Sequence, residues 1–202
     1  MTQSLNPDKK RIQSIDLLRG LVMIIMALDH TRDFVHTYSW TEDPLSMQTT
    51  TPALYFTRWI THFCAPVFVF LSGMSAFLQS KRKSKKELSL FLIKRGFWLI
   101  LVEIFALNLI FSFDLSYSII ALQVIWVIGL GMLLLGLAIW LPFPVIFAIG
   151  LIILLGHNAL DFYEKGHKGT FNHWYELMHR SNLFPLIGKQ QMLILYPFLP
   201  WL

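Results

Sequence analysis

The 202-residue sequence has a single cysteine, Cys64, and few charged residues for its length. One cysteine excludes both a disulfide framework within the chain and a metal site built from several thiolates. Asp, Glu, Lys and Arg make up 14% of the residues, whereas soluble domains average about 25%. The sequence also has no internal repeat, and its one low-complexity segment is a basic run at 81–86. These shortages argue against a disulfide scaffold and against an ordinary water-soluble domain.

Apolar residues make up 55% of the chain and are concentrated in long runs. A helix rises about 1.5 Å per residue, so about 20 residues cross a hydrocarbon core of roughly 30 Å. We therefore predict one domain over 1–202, an all-α, polytopic transmembrane helix bundle with five spans and the start of a sixth. The predicted spans are 15–36, 57–79, 88–111, 117–140 and 143–160, and the sixth run begins at Gln190.

The sixth run is too short to cross a bilayer before the sequence stops at Leu202. We therefore expect the chain to be the N-terminal part of a larger bundle, truncated at its C-terminus. The lipid bilayer is an expected partner, and formation of a homo-oligomer is left open.

The net charge of +5 reflects the placement of Lys and Arg in the predicted loops. Eleven of the 17 Lys and Arg residues fall on the side that holds the N-terminus and the basic run 81–86. Because cytoplasmic loops carry the excess of positive residues, we predict a cytoplasmic N-terminus. In a bacterium the protein would lie in the inner membrane. We expect no nucleic-acid partner.

Span 15–36 ends in charged and imidazole side chains. Asp29 and His36 are seven residues apart, so a helix places them within about 20° on one face. His62 lies near the outer end of the second span, and small residues in that span would let the two spans pack closely. A carboxylate beside a neutral histidine is typical of a general base. We therefore predict that Asp29, His36 and His62 form a catalytic group, with a solvated interfacial cluster as the alternative.

Among the charged residues of the third predicted span, Arg95 lies near its start and Glu103 lies further in. They are eight residues apart, about 12 Å along a helix, which is too far for a direct pair. We expect Glu103 either to find a partner on another span or to be protonated. The basic run 81–86 would anchor lipid headgroups or attract the phosphates of a cofactor such as coenzyme A.

Histidines allow two further interpretations. The outer segment contains four that could bind Zn or Cu, but their spacings of ten, six and six match no common ligand pattern, and we predict no metal. These four are His157, His167, His173 and His179. A haem held by His36 and His62 is the other interpretation, and their positions in the sequence do not exclude it.

Two stretches of the chain resemble the heparan-α-glucosaminide N-acetyltransferase catalytic-domain family, a family of transmembrane acyltransferases. They are RIQSIDLLRGLVMIIMALDHTRDF at 11–34 and RWITHFCAPVFVFLSGMSAFL at 58–78. The motifs are Ser-x-Asp-x-x-Arg-Gly in the first stretch and Ala-Pro-x-Phe-x-Phe-x-x-Gly in the second. A third stretch, ALQVIWVIGLG at 121–131, resembles a family motif in which Gln is followed by Arg, whereas here Val124 follows Gln123.

The resemblance implies a membrane-bound enzyme that moves an acyl group such as acetyl from cytosolic acyl-CoA to a glycan or glycolipid. The acceptor atom would be an amine or hydroxyl on the outer side. The resemblance implies that His36 is the general base or acyl carrier and that Asp29 assists it. Arg19 and Gln123 match family motifs, and with Arg95 they are the residues we expect to bind acyl-CoA.

A non-enzymatic membrane protein is the alternative from a different functional class. In a transporter or an assembly component, Asp29, Glu103 and Arg95 would serve as intramembrane ion or proton relays. Substrate-dependent proton flux without acyl-CoA binding would favour this alternative.

Overall fold

The computed structural model describes residues 13–35, 45–46, 50–166, 172–186 and 188–202, apart from the side chain of Asp33. Most of these residues are helical. The chain forms two compact units, Met1–Leu71 and Ser72–Leu202, each with its own internal packing.

The first unit consists of α1 (Gln13–Val35), α2 (Pro52–Thr61) and the start of α3 (Cys64–Ser80). The N-cap of α2 is Thr51, whose hydroxyl accepts a hydrogen bond from the Leu54 N–H. Cys64 Sγ lies 3.7 Å from the carbonyl oxygen of Val22, where α3 begins against α1. Polar contacts between α1 and α2 complete this unit and are described with the site below.

The second unit contains the rest of α3 and a helical stretch, 85–112, that is interrupted by one π-helical turn. Its other helices are α4 (Lys85–Leu101), α5 (Asn108–Ser112), α6 (Val124–Ala138), α7 (Phe143–Gly156), α8 (Ala159–Gly166), α9 (His173–His179) and α10 (Phe198–Trp201). A π-helical turn, Val102–Leu107, joins α4 directly to α5. A capping box fixes the start of α4, because Ser84 and Glu87 each bond to the backbone N–H of the other.

The helices α4 and α6 pack with their backbones in contact. Gly96 faces Gly129, and Ser89 faces Gly136, so the two helices run antiparallel. A Cβ atom at Gly96 would lie 2.5 Å from the Gly129 carbonyl oxygen, an approach that only glycine permits. The Ser89 hydroxyl donates a hydrogen bond to the Gly136 carbonyl oxygen at 2.7 Å. Small residues at facing positions are the usual means of close helix packing in membranes.

A small sheet is part of the same unit. Its strands are β1 (Ile119–Leu122), β2 (Asn182–Pro185) and β3 (Gln191–Ile194), in the order β1-β3-β2. The first pair is parallel, with Ile119 opposite Gln191, and the second pair is antiparallel. The buried side chains of Leu122, Phe184 and Ile194 form a cluster on which residues of the π-helical turn and of α6 pack.

The prediction of an all-α bundle with five spans is only partly correct, because the structure contains this sheet. Within the described residues, two helical stretches are long and apolar enough to cross a membrane: Pro52–Ser80, which combines α2 and α3, and Phe143–Gly166, which combines α7 and α8. The predicted fourth span was wrong at its start, because 119–122 form a strand and the helix begins at Val124. The predicted start of a sixth span was also wrong, because the run after Gln190 forms β3. Periodicity does not separate a short buried strand from a helix.

Candidate functional site

In the first unit, Asp29 is the centre of a group of polar contacts that joins α1 to α2. Its Oδ1 lies 2.9 Å from Arg32 Nη1, and its Oδ2 accepts a hydrogen bond from Arg58 Nη1 at 2.6 Å. The Thr61 hydroxyl lies 3.0 Å from Oδ1. The carboxylate is only 18% exposed, and partners surround both of its oxygens. Charge-assisted hydrogen bonds of this kind fix orientation, so Asp29 holds the two helices in one arrangement.

His62 follows α2 directly, and its ring contacts the main chain of Arg58. The His62 Nδ1 lies 2.8 Å from the Arg58 carbonyl oxygen. A neutral ring that donates through Nδ1 carries its lone pair on Nε2, which is what a general base requires. The residue is exposed. Arg58 therefore contacts both predicted site residues. Its guanidinium group bonds to Asp29, and its carbonyl oxygen contacts the His62 ring.

The other residues predicted from the sequence to belong to a site are Arg19, His36, Arg95 and Gln123. His36 lies outside the described residues. Arg19 Nη1 is 3.7 Å from Asp16 Oδ1, one turn away on α1. Arg95 is exposed on α4. Gln123 is the N-cap residue of α6, in the second unit.

A buried polar contact in the second unit involves Gln123 and Glu103. Glu103 lies in the π-helical turn, is fully buried, and accepts a hydrogen bond from the Gln123 backbone N–H at 2.9 Å. Its other oxygen, Oε2, has no hydrogen-bond partner within the described part of the chain. The side-chain NH2 of Asn108 donates to the carbonyl oxygens of Glu103 and Ala121, and its Oδ1 accepts from the Ala121 N–H. Glu103 was expected to find a partner on another predicted span or to be protonated, and the backbone N–H of Gln123, which lies within the predicted span 117–140, is such a partner.

Two pairs of a histidine and a carboxylate follow α7, and neither pair was predicted from the sequence. His179 Nε2 lies 2.9 Å from Asp161 Oδ1, which joins α9 to α8. His173 Nδ1 lies 3.3 Å from Glu176 Oε2, and Glu176 Oε1 accepts a hydrogen bond from the Asn182 side chain. The spacing of three between His173 and Glu176 could have indicated the second pair. The first pair joins residues 18 positions apart on two helices and has no such local pattern.

The histidines that were considered as metal ligands have separate partners. His157 Nδ1 lies 3.1 Å from the Ile153 carbonyl oxygen, and His173 and His179 belong to the two different pairs just described. His167 lies outside the described residues. Where side chains are described, no three or more from His, Cys, Asp and Glu come together in a group that could hold a metal ion.

Comparison with known proteins places the chain in a family. A family model described as "Heparan-alpha-glucosaminide N-acetyltransferase, catalytic" matches residues 11–202. No curated protein and no solved structure matches the chain. The match covers nearly the whole sequence and therefore includes residues of both units.

Proposed function

The chain belongs to the heparan-alpha-glucosaminide N-acetyltransferase catalytic family, and on this premise we propose that it transfers an acyl group from acyl-CoA to a glycan or glycolipid. Acetyl-CoA is the expected co-substrate, and the acceptor atom is an amine nitrogen or a hydroxyl oxygen. The family match over residues 11–202 is the observation that carries the proposal.

The proposed reaction exchanges one bond at the acyl carbonyl carbon for another. A base takes a proton from the acceptor as its nitrogen or oxygen attacks the thioester, so a C–N or C–O bond forms. The C–S bond then breaks, and the sulfur of coenzyme A leaves and recovers a proton. In the second route the base is itself acylated first, and the acyl-imidazole then reacts with the acceptor. His36 is the residue to which the family resemblance assigns this role.

Asp29 and His62 support the proposal in different ways. Because both oxygens of Asp29 have partners, we assign it the role of orienting the end of α1 and not that of the base. His62 is the second candidate base, since a neutral ring that donates to the Arg58 carbonyl oxygen has its lone pair on Nε2.

Acyl-CoA is proposed to bind through Arg19, Arg95 and Gln123. Guanidinium groups suit phosphate oxygens, and the exposed Arg95 is available for such a contact. The excess of Lys and Arg on the N-terminal side supports a cytoplasmic N-terminus, where acyl-CoA is found. The proposed location is a bacterial inner membrane, and the two long apolar helices fit a membrane protein.

The test is acyl transfer by the protein in lipid nanodiscs, with acetyl-CoA as donor and glucosamine as the acceptor probe. Release of free coenzyme A thiol reports turnover, and the acetylated product is identified by mass spectrometry. His36→Ala should lower kcat by roughly 10²–10⁴-fold, the usual contribution of a general base, and by at least as much if His36 carries the acyl group. Transfer by His36→Ala at the wild-type rate would contradict the assigned role.

A matched pair of histidine variants separates chemistry from folding. His62 and His157 each follow a helix and each place Nδ1 beside the carbonyl oxygen four residues earlier. If His62 takes part, His62→Gln should reduce turnover by tenfold or more. His157→Gln, which loses the same local contact, should leave turnover within about twofold of wild type. Equal effects would remove His62 from the site.

A further inference from the structure

The π-helical turn Val102–Leu107 places two buried polar side chains on one side of their helix. In an α-helix, Glu103 and Asn108, five residues apart, would point about 140° away from each other. The i to i+5 bonding of a π-helical turn brings such residues to the same side, and the Asn108 N–H bonds to the Glu103 carbonyl oxygen. Turns of this type are frequent at functional sites. Here the turn lets both side chains reach one neighbouring segment, 121–123.

Segment 121–123 is where β1 ends and α6 begins, and it is held at two points. Asn108 makes one hydrogen bond to each polar atom of the Ala121 main chain. Glu103 bonds to the N–H of Gln123, two residues further along. Glu103 and Asn108 are 0% and 5% exposed, so water does not compete for these contacts. The main chain of Gln123 is therefore fixed relative to α4 and α5.

The N-terminus of α6 relies on Glu103 because Gln123 provides no side-chain cap of its own. The first N–H groups of a helix have no partners within that helix, and a carboxylate there is favourable. Most helices obtain this group from their own N-cap residue. Here it comes from another helix, so the same hydrogen bond that caps α6 also sets the position of its first turn.

We propose that Glu103 is a positioning residue for acyl-donor binding and acts through Gln123. This inference rests on the proposed function, in which Gln123 contacts acyl-CoA. Glu103 does not touch the donor, because its side chain is enclosed by the protein. It holds the turn that carries Gln123, and without it Gln123 leaves the position from which it meets the donor.

Acetyl-CoA titration and steady-state turnover in nanodiscs test the proposal with a graded set of variants. Glu103→Ala should weaken acetyl-CoA binding about tenfold and raise its KM by a similar factor, with a smaller change in kcat. Glu103→Gln keeps an oxygen that accepts from the Gln123 N–H, so its KM should stay within about threefold of wild type. Glu103→Asp is too short to reach the same N–H and should behave like Glu103→Ala. If Glu103→Ala fails to fold, Glu103→Asp provides the same comparison.

Ser89→Ala is the matched control. Ser89 is also a buried polar residue of α4 that bonds to α6, but its partner is the Gly136 carbonyl oxygen and not the Gln123 turn. Its loss should lower the midpoint of thermal unfolding and leave the KM for acetyl-CoA unchanged. A KM that rises equally in Ser89→Ala and Glu103→Ala would show a general structural effect and overturn the proposal.

The double variant Glu103→Ala/Gln123→Ala tests whether Glu103 acts through Gln123. If it does, the double variant should bind acetyl-CoA no more weakly than Gln123→Ala alone, because both substitutions remove the same contact between Gln123 and acetyl-CoA. Additive losses, or an unchanged KM in both Glu103→Ala and Glu103→Asp, would overturn this assignment and leave the proposed acyltransferase function intact. Absence of acetyl-CoA binding and turnover in the wild-type protein would overturn both.

Discussion

The helices α6 and α7 are consecutive and almost equally apolar, yet only α6 is packed inside the second unit. Val127, Gly129, Met132 and Gly136 of α6 are buried, whereas every described residue of α7 is at least partly exposed. Apolar composition alone therefore does not tell which helix lies against protein.

Facing small residues distinguish the two helices. In α6, Gly129 and Gly136 meet Gly96 and Ser89 of α4, which have the same spacing of seven residues. At Gly150 of α7, an added Cβ would have no atom within 4 Å. Because lipid is as apolar as leucine, helices in a membrane associate by close packing and polar contacts, and α6 has both. The lesson is that matched spacing in two helices predicts their packing better than hydropathy does.

A side chain added at the closest contact should have the largest effect on stability. Gly96→Leu would place its Cβ against the Gly129 carbonyl oxygen and force α4 and α6 apart, at a cost of about 3 kcal/mol. Gly150→Leu on α7 meets open space and should change stability by less than about 0.5 kcal/mol. Unfolding in mixed detergent micelles, followed by tryptophan fluorescence, measures both. Equal losses would mean that α7 is as tightly packed as α6.

Shortening a side chain in the packed helix should have a smaller effect. Met132 lies in the buried cluster formed with Leu88 and Leu92 of α4, so Met132→Ala leaves a cavity and should cost about 2 kcal/mol. Phe147 of α7 is 60% exposed, and Phe147→Ala should cost less than about 0.5 kcal/mol in the same assay. A loss at Phe147 that matched the loss at Met132 would contradict the contrast between the helices.

The hydroxyl contact between α4 and α6 should contribute less again. Ser89→Ala removes the hydrogen bond to the Gly136 carbonyl oxygen and the Trp140 Nε1 contact to the same hydroxyl, at a cost of about 1 kcal/mol. The Ser80 hydroxyl bonds to the Phe77 carbonyl oxygen of its own helix, and Ser80→Ala should change stability by roughly a few tenths of a kcal/mol. If both variants unfold at the same denaturant concentration, the contact between helices adds nothing.

The smallest expected effect concerns the turn that precedes β1 and α6. The hydroxyl groups of Ser116 and Ser118 and, to a smaller extent, their backbone N–H groups bond to Asp114. These hydrogen bonds lower the pKa of its carboxyl well below the ordinary value. A lowered pKa stabilises the fold above the ordinary value of about 3.9, and this stabilisation is lost as the pH falls below it. The stability difference between wild type and Asp114→Asn should therefore be constant from about pH 8 to 5 and shrink below about pH 4. Denaturant titrations at each pH measure it, and a difference that shrank near pH 6 would assign the effect to another group.

Much of the helical pattern could be predicted from the sequence, because α1, α3, α4, α6 and α7 coincide with long apolar runs. The strands could not, since β1 and β3 lie within apolar runs and find each other across about 70 residues. The spacing shared by Ser89 and Gly96 with Gly129 and Gly136 was visible in the sequence and would have predicted the packing of α4 on α6.

The candidate site was less predictable than the fold. The cost of burying a charge indicated that Glu103 would have a partner or be protonated, but no sequence pattern indicates that this partner is the Gln123 backbone N–H. The contact of Asp29 with Arg58 joins residues 29 positions apart, and only the packing of α1 on α2 reveals it. The role of His36 stays a prediction, because it lies outside the described residues.

The π-helical turn has a consequence for how this chain tolerates insertions and deletions. It holds one residue more than an α-helical turn would need. Deleting a single residue there would restore an ordinary α-helical turn, in which Glu103 and Asn108 would be four residues apart and about 40° apart around the helix. Both side chains would then still face segment 121–123, although the π-helical turn itself was gone. Homologues that lack one residue between 103 and 108 are therefore expected to keep both the carboxylate and the amide.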